Sequence, residues 1–203
     1  MLRDRLLMGG MMAAGAAVIG ALVLAQMPGA ARAATDGPGP NLIVEVGGST
    51  SGRIEIDLLP EVAPQHVAQI TALAAEGAYD GVVFHRVIDG FMAQTGDVEF
   101  GKRGGDTQKA GMGGSSRPDL PAEFSDIAFE RGVVGMARSQ SPDSANSQFF
   151  IMFAPAASLN GKYTVVGHVV SGMEVVDAIR KGDPAANGAV ADPDYMARVT
   201  VAP

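Results

Sequence analysis

The chain has 203 residues, of which 47% are hydrophobic, 18% charged and 5% aromatic, and it contains no cysteine. This apolar fraction is typical of a folded domain and argues against wholesale disorder. The lack of cysteine excludes a disulfide framework, a thiolate metal site and a cysteine nucleophile. The formal net charge of −7 argues against a general nucleic-acid binder, because such proteins need a basic surface.

The N-terminal segment has the layout of a secretory signal peptide. Residues 1–5 contain two arginines, residues 6–26 carry no charge, and a Pro-Gly pair precedes the small-residue site Ala31-Arg32-Ala33. We therefore expect cleavage after Ala33, with residues 1–33 as the signal peptide. The alternative is an uncleaved membrane anchor formed by residues 6–26, because about twenty apolar residues can span a bilayer.

After cleavage, a short flexible leader over residues 34–40 is expected to precede one domain over residues 41–203. We expect this mature chain to be exported to a periplasmic or extracellular compartment and not to be embedded in a membrane. It is expected to be a monomer.

Short β-rich runs dominate from residue 41 onward. Leu42–Val46 and Arg53–Leu58 flank a Gly/Ser/Thr turn and predict a hairpin. In the second run Ile54, Ile56 and Leu58 alternate with charged residues, so one face of that strand is expected to be buried. Further runs predicted as strands are residues 82–88, 91–96, 133–137, 149–153, 164–169 and 198–202.

Two segments have the periodicity of helices. In residues 61–76 the apolar side chains recur on one helical face, Pro64 stands in the early turn, and Gly77 ends the pattern. Residues 173–181 form a second, shorter stretch. Between them, residues 97–122 are rich in Gly, Ser and Pro and predict a long loop, which in a compact domain is usually functional or mobile.

The order of these elements predicts a mainly β fold. About eight short strands and two helices, without a β-α-β rhythm, are typical of a closed eight-stranded antiparallel β-barrel capped by two α-helices.

The sequence lacks the residue patterns of several common metal-binding and phosphate-binding sites. His66, His85 and His168 are not spaced as metal ligands, so no metal site is predicted. The glycine-rich segment 111–114 lacks the strand-to-helix setting and the Lys-Ser/Thr pair of a phosphate loop. No cofactor site is evident, and nucleic acid is not expected as a partner.

Residues 84–97, with the sequence FHRVIDGFMAQTGD, are harder to explain as core alone. In a hairpin, side chains alternate between faces. Phe84 and Arg86 would therefore share one face of the first strand, and Met92 and Gln94 one face of the second. The spacing leaves a structural alternative open, in which the arginine forms a salt bridge at the rim and the apolar residues belong to the core.

This stretch closely resembles the signature of cyclophilins, the peptidyl-prolyl cis-trans isomerases. Residues 136–151 (MARSQSPDSANSQFFI) and 159–167 (LNGKYTVVG) resemble the second and third sequence blocks of the family. Their order and spacing agree, and the similarity runs from about Leu42 to Ala202. The resemblance implies an eight-stranded barrel with two helices and catalysis of proline cis-trans isomerisation in polypeptides.

The resemblance also implies roles for individual residues. Arg86 takes the place of the family's catalytic arginine. The positions implied to bind the substrate are the proline pocket (Phe91, Met92, Phe150, Leu159), two polar residues near the substrate backbone (Gln94, Gln148), the groove floor and the position after it (Ala137, Arg138), the wall of the neighbouring pocket (Gly111), and Tyr163.

Two positions depart from the best-known eukaryotic pattern. Ser158 stands where many members have a tryptophan linked to cyclosporin binding, and Tyr163 stands where they have histidine. The missing ring at Ser158 predicts weak cyclosporin affinity with activity retained.

Two functions remain open. The first is an exported isomerase acting on unfolded or flexible proline-containing polypeptides. The second is a non-catalytic peptide-binding chaperone module that uses the same groove.

Overall fold

A computed structural model describes residues 35–203. The predicted signal peptide, its cleavage site and the alternative anchor at residues 6–26 lie outside this range. The elements, in chain order, are β1 (Asn41–Gly47), β2 (Gly52–Leu58), α1 (Pro64–Ala75), β3 (Val82–Val83), β4 (Arg86–Ile88), β5 (Met92–Thr95), β6 (Val133–Met136), β7 (Phe149–Met152), β8 (Val165–Ser171), α2 (Met173–Ala178) and β9 (Tyr195–Ala202). The mainly β class with two helices is confirmed. No helix within the described range is both long and apolar enough to cross a bilayer.

The nine strands form one antiparallel sheet, in the order β3-β9-β1-β2-β8-β6-β7-β5-β4. The C-terminal strand pairs with β1, which confirms the expectation that it joins an early strand. The sheet curls into a half-barrel, which is open because no ladder joins its two end strands, β3 and β4. The predicted closed barrel of eight strands is therefore wrong in strand number and in closure.

The break lies in residues 82–88, which the sequence predicts as one strand. Phe84 and His85 leave the ladder, and the Phe84 N–H donates instead to the carbonyl oxygen of Asp194 at 2.8 Å. This break also shifts the alternation of side chains. Phe84 is fully buried in the main core, so the prediction that it shares a face with Arg86 is wrong.

The main core joins the sheet to α1. Val67, Ile70 and Leu73 of this helix belong to one buried cluster with Ile54 and Ile56 of β2. A second, smaller cluster contains Met92 of β5 and Phe150 of β7 together with partly buried residues around them. Since successive residues of a strand face opposite sides, this second cluster lies on the other face of the sheet and forms the floor of the site described below.

The long loop after β5 contains no strand and one short 3-10 turn, at Thr107–Lys109. Its far part is attached to the start of α1 by Glu123. This carboxylate accepts hydrogen bonds from the backbone N–H groups of Gln65 and His66, each at 3.2 Å, and lies 2.6 Å from Nδ1 of His66. Glu123 therefore supplies the N-terminal cap that α1 lacks from its own N-cap residue, Ala63.

Candidate active site

The β4–β5 hairpin brings the predicted arginine, glutamine and methionine onto one surface. Arg86 lies directly opposite Gln94, and Ile88 lies opposite Met92. Directly paired residues of neighbouring strands project to the same side, so these side chains share a face. Arg86 forms no ion pair with a carboxylate among residues 35–203, so the alternative of a rim salt bridge does not hold.

Three hydrogen bonds to oxygen atoms hold the Arg86 guanidinium, and Nη1 also makes a long contact of 4.0 Å with the Met92 sulfur. Nη1 donates to Oε1 of Gln94 at 3.2 Å, while Nε and Nη2 donate to the backbone oxygen and to Oδ1 of Asn187, each at 3.1 Å. Burial lowers the pKa of Arg86, but an arginine remains protonated at neutral pH because its ordinary pKa is so high. The surface therefore carries a fixed cation that still has N–H groups to donate.

The Gln94 amide extends this network to the long loop. Its Nε2 donates to Oε1 of Gln148 at 2.9 Å, and Nε2 of Gln148 donates to the carbonyl oxygen of Gly113 at 2.7 Å. Two amide side chains thus link the loop backbone to Arg86, and each fixes the orientation of the next.

An apolar cavity of about 190 Å³ lies beside Arg86. Phe150 stacks on Phe129 with ring centroids 5.8 Å apart, and Tyr163 meets Phe150 edge-on at 5.9 Å. These ring contacts give the cavity a packed apolar wall. Nine of the predicted site residues line it: Arg86, Phe91, Met92, Gln94, Ala137, Arg138, Phe150, Leu159 and Tyr163.

A second cavity of about 510 Å³ adjoins the first and shares Gln94, Ala137 and Arg138 with it. The two remaining predicted residues, Gly111 and Gln148, line this cavity. The rest of its lining comes largely from the long loop and from the turn between β6 and β7: Met112, Gly113, Gly114, Ser115, Asp119, Ser139, Ser144, Asn146 and Ser147. The structure thus places all the predicted site residues around two neighbouring cavities.

Arg138 is held within the wall between these cavities. Its guanidinium lies over the ring of Tyr163, 4.4 Å from the centroid, and donates to the backbone oxygens of Ser139 and Lys162, each at 2.9 Å. A cation over an aromatic face is an attractive contact. The charged group of Arg138 is therefore held against the Tyr163 ring and the loop backbone.

Three residues of the network were not predicted as site residues from the sequence: Asp97, Gly113 and Asn187. Asp97 is buried, and its Oδ2 accepts hydrogen bonds from the backbone N–H groups of Gly111 at 2.7 Å and Gly113 at 2.9 Å. Asn187 belongs to an Asn-Gly pair, which is a turn signal. Its contact with Arg86 spans 101 residues, however, and no local pattern could reveal it.

Among residues 35–203, the titratable side chains near Arg86 offer no acid-base pair. His85 packs beside Gly111, and neither of its ring nitrogens has a hydrogen-bond partner within the described chain. Burial lowers the pKa of His85 to about 4, so its imidazole is neutral at physiological pH. Across residues 35–203 no group of three imidazole or carboxylate side chains is placed to hold a metal ion.

Comparison with known proteins identifies the family. Residues 42–201 match the family described as cyclophilin type peptidyl-prolyl cis-trans isomerase/CLD. A probable peptidyl-prolyl cis-trans isomerase of Brucella suis is 62% identical over 152 residues, which cover 74% of this chain and 78% of that protein. Peptidyl-prolyl cis-trans isomerase B of Bacillus subtilis is 40% identical over 132 residues, or 64% of this chain and 85% of that protein.

Solved structures show the same fold. A cyclophilin from Hirschia baltica is 25% identical, with a TM-score of 0.66 over 81% of this chain and 74% of its own. A cyclophilin type isomerase of Cryptosporidium parvum, solved in the presence of the dipeptide Ala-Pro, is 23% identical, with a TM-score of 0.67 over 80% of this chain and 99% of its own. By its sequence, its relatives and its fold, the chain belongs to the cyclophilin-type peptidyl-prolyl cis-trans isomerases.

Proposed function

We propose that this isomerase catalyses cis-trans rotation about X-Pro bonds, that Arg86 is its catalytic group, and that the smaller cavity binds the proline ring. One observation carries the proposal: a guanidinium held by Asn187 and Gln94 lines a packed apolar cavity of about 190 Å³. Rotation about an X-Pro bond requires a cation next to an apolar pocket for the proline ring.

An X-Pro amide rotates slowly because its C–N bond has partial double-bond character, with a barrier of about 18–20 kcal/mol. In the twisted amide the proline nitrogen is pyramidal and regains its lone pair. An N–H donor on a fixed cation, directed at this nitrogen or at the adjacent carbonyl, stabilises the twisted amide more than either planar form. Each tenfold in rate needs about 1.4 kcal/mol of this preference. Arg86 supplies both the charge and the donors.

The other predicted residues hold the substrate while this rotation takes place. The ring pocket consists of Phe91, Met92, Ala137, Phe150, Leu159 and Tyr163. The groups beside the substrate backbone are Gln94, Gln148, the backbone at Arg138 and the loop wall at Gly111. No proton is transferred and no covalent bond forms. The rate is therefore expected to be flat between about pH 6 and about pH 8.

The proposed substrates are unfolded or flexible segments that contain proline. Both cavities are open to solvent and adjoin each other, so an extended chain can place its proline in the smaller cavity and a neighbouring residue in the larger one. A folded partner of fixed shape is not required.

Exchange between the cis and trans forms of a short X-Pro peptide, followed by NMR, tests the role of Arg86. The purified chain is expected to accelerate exchange, and Arg86→Ala is expected to lose about a hundredfold or more while remaining folded. Arg86→Lys, which keeps the charge but not the fork of donors, is expected to recover only part of the rate. Full activity in folded Arg86→Ala would refute the proposal. Peptide binding without acceleration by the unmodified chain would favour the non-catalytic chaperone module.

We also propose that the domain over residues 41–203 acts after export, on exported proteins. The charged start, the uncharged segment at residues 6–26 and the Ala31-Arg32-Ala33 site support this, as does the family match beginning at residue 42. Cell fractionation and N-terminal sequencing of the chain expressed in bacteria test it. A periplasmic protein that begins at Ala34 is expected, whereas an intact chain in the membrane fraction would support the anchor alternative.

A further inference from the structure

We infer that Asn187 is a positioning residue of the isomerase: it holds the Arg86 guanidinium in the orientation that leaves its free N–H groups for the substrate. The inference rests on the proposed role of Arg86. It assigns a part in the reaction to the loop between α2 and β9, which contributes nothing to the lining of the ring pocket.

Asn187 accepts two hydrogen bonds from the Arg86 guanidinium. Its backbone oxygen accepts from Nε and its side-chain Oδ1 accepts from Nη2, both at 3.1 Å. Two acceptors along one edge of a planar guanidinium fix its plane, as a bidentate partner does. Gln94 takes one N–H of Nη1. Each terminal nitrogen carries two N–H groups, so one on Nη2 remains free for the substrate, while the second on Nη1 has only the Met92 sulfur, a weak acceptor 4.0 Å away.

The backbone at Asn187 is unusual. Its φ of 53° makes it the single non-glycine residue with positive φ in the described part of the chain. Asparagine tolerates this left-handed conformation better than most residues, although at some cost. Such conformations cluster at functional sites, where the surrounding structure enforces them. Here the conformation directs both oxygens of one residue at the same guanidinium.

The loop that carries Asn187 is fastened to β4 next to Arg86. The N–H of Val87 donates to the carbonyl oxygen of Gly188 at 2.8 Å, and the carbonyl oxygen of Val87 accepts from the N–H of Gly182 at 2.9 Å. These bonds cover the free edge of β4. They also fix the distance between the backbones of Asn187 and Arg86, so the two hydrogen bonds between these residues do not depend on a mobile segment.

The contacts predict a specific kinetic signature. Loss of Oδ1 frees Nη2 and lets the guanidinium rotate, while the ring pocket keeps all of its lining. Substrate affinity should therefore stay almost constant while the rate of rotation in the bound state falls. A loss of general structure would instead weaken both.

The decisive variant is Asn187→Gly in the full chain, because glycine accepts positive φ and keeps the backbone oxygen while it removes Oδ1. NMR titration with an X-Pro peptide gives the dissociation constant, and exchange spectroscopy gives the bound-state rate. We expect the rate to fall about tenfold, since one hydrogen bond to a charged group is lost, and Kd to change by less than about twofold. Asn187→Asp keeps the acceptor and is expected to stay within about threefold of the unmodified rate.

Two controls separate positioning from loop flexibility. Ala186→Gly loosens the same loop at an exposed neighbour that makes no hydrogen bond to the Arg86 guanidinium, and is expected to leave the rate unchanged. In the Arg86→Ala background, Asn187→Gly is expected to have no further effect. An unchanged rate in Asn187→Gly alone, an equal loss in Ala186→Gly, or a further loss in the Arg86→Ala background would each overturn the inference. Full activity of Arg86→Ala would refute the proposed function itself, which is a distinguishable result.

Discussion

Asp97 accepts a hydrogen bond of 2.9 Å from the backbone N–H of Gly113, and its same oxygen accepts another, of 2.7 Å, from Gly111. The other carboxylate oxygen accepts from two further backbone N–H groups at the start of the loop. Since the carbonyl of Gly113 receives the Gln148 amide, one buried carboxylate fixes the loop backbone from which the amide network runs to Arg86.

Replacing Asp97 should therefore loosen the whole loop. Asp97→Ala leaves four backbone N–H groups without their acceptor, and we expect it to lower the free energy of unfolding by about 3 kcal/mol. Amide exchange at Gly111 and Gly113 should accelerate by about tenfold or more. Urea unfolding measures the first effect, and hydrogen exchange followed by NMR measures the second.

Asp106→Ala is the matched control in the same loop. Asp106 is exposed and caps the short 3-10 turn, where, within the described part of the chain, its carboxylate accepts only from the N–H of Gln108 at 3.1 Å. Its removal is expected to cost about 1 kcal/mol or less. Equal losses in the two variants would contradict the anchoring function of Asp97.

The elements of the fold could be predicted because they depend on local alternation. Ile54, Ile56 and Leu58 are buried as their spacing indicates. The closure of the sheet could not be predicted, because it depends on Phe84, whose N–H bonds to the carbonyl of Asp194 far along the chain. A continuous β-rich run carries no sign that a distant backbone oxygen will interrupt it.

The candidate site was likewise predictable from the sequence only in part. Arg86, Met92 and Gln94 come from one hairpin, so their common surface follows from local register, and the remaining predicted residues depended on the resemblance to a family. Asn187 and Asp97 were missed. Their contacts with Arg86 and with the Gly111–Gly113 backbone depend on tertiary folding. Asp97 ends the block at residues 84–97, but the resemblance assigned it no role, and Asn187 stands in an ordinary turn pair.

Phe150 is expected to support both stability and binding. It is 6% exposed and packs against the rings of Phe129 and Tyr163. Phe150→Ala should lower the free energy of unfolding by about 3–4 kcal/mol, because it leaves a void in a packed cluster. It should also weaken X-Pro peptide binding, since the ring pocket loses a wall. Urea unfolding and NMR titration measure the two effects.

Phe124 offers the comparison for this experiment. Its side chain is 45% exposed and lines neither of the two cavities described above. Phe124→Ala is expected to change stability by about 1 kcal/mol or less and to leave peptide affinity unchanged. A smaller loss in Phe150→Ala than in Phe124→Ala would show that the ring cluster does not stabilise the site.

Ser158 should control affinity for cyclosporin. It is exposed in the short 3-10 turn Ala157–Leu159, next to a residue of the ring pocket. The chain is expected to bind cyclosporin weakly, and Ser158→Trp, which adds a large ring beside the pocket, is expected to lower Kd by about tenfold or more. Calorimetric titration measures this, with Ser158→Ala as the control that adds no ring. Nanomolar binding by the unmodified chain would contradict the prediction.

His85 should make stability depend on pH. Burial lowers its folded-state pKa from 6.5 to about 4, while Asp97 opposes and Arg86 reinforces that shift. Between these values the unfolded chain binds more protons than the folded chain, so stability falls as pH falls. From about pH 7 to about pH 5 the loss attributable to His85 is about 2 kcal/mol.

The variant His85→Gln cannot take up this proton, so its stability should fall less over the same range, by about 2 kcal/mol. Urea unfolding of both proteins at each pH isolates the difference, because every other titrating group is common to the two. Only the pH dependence is compared, so a constant cost of placing an amide in the buried position does not affect the result. Parallel stability curves would show that the imidazole gains its proton in the folded protein as easily as in the unfolded one, and that the packing of Gly111 beside it does not exclude the charged form.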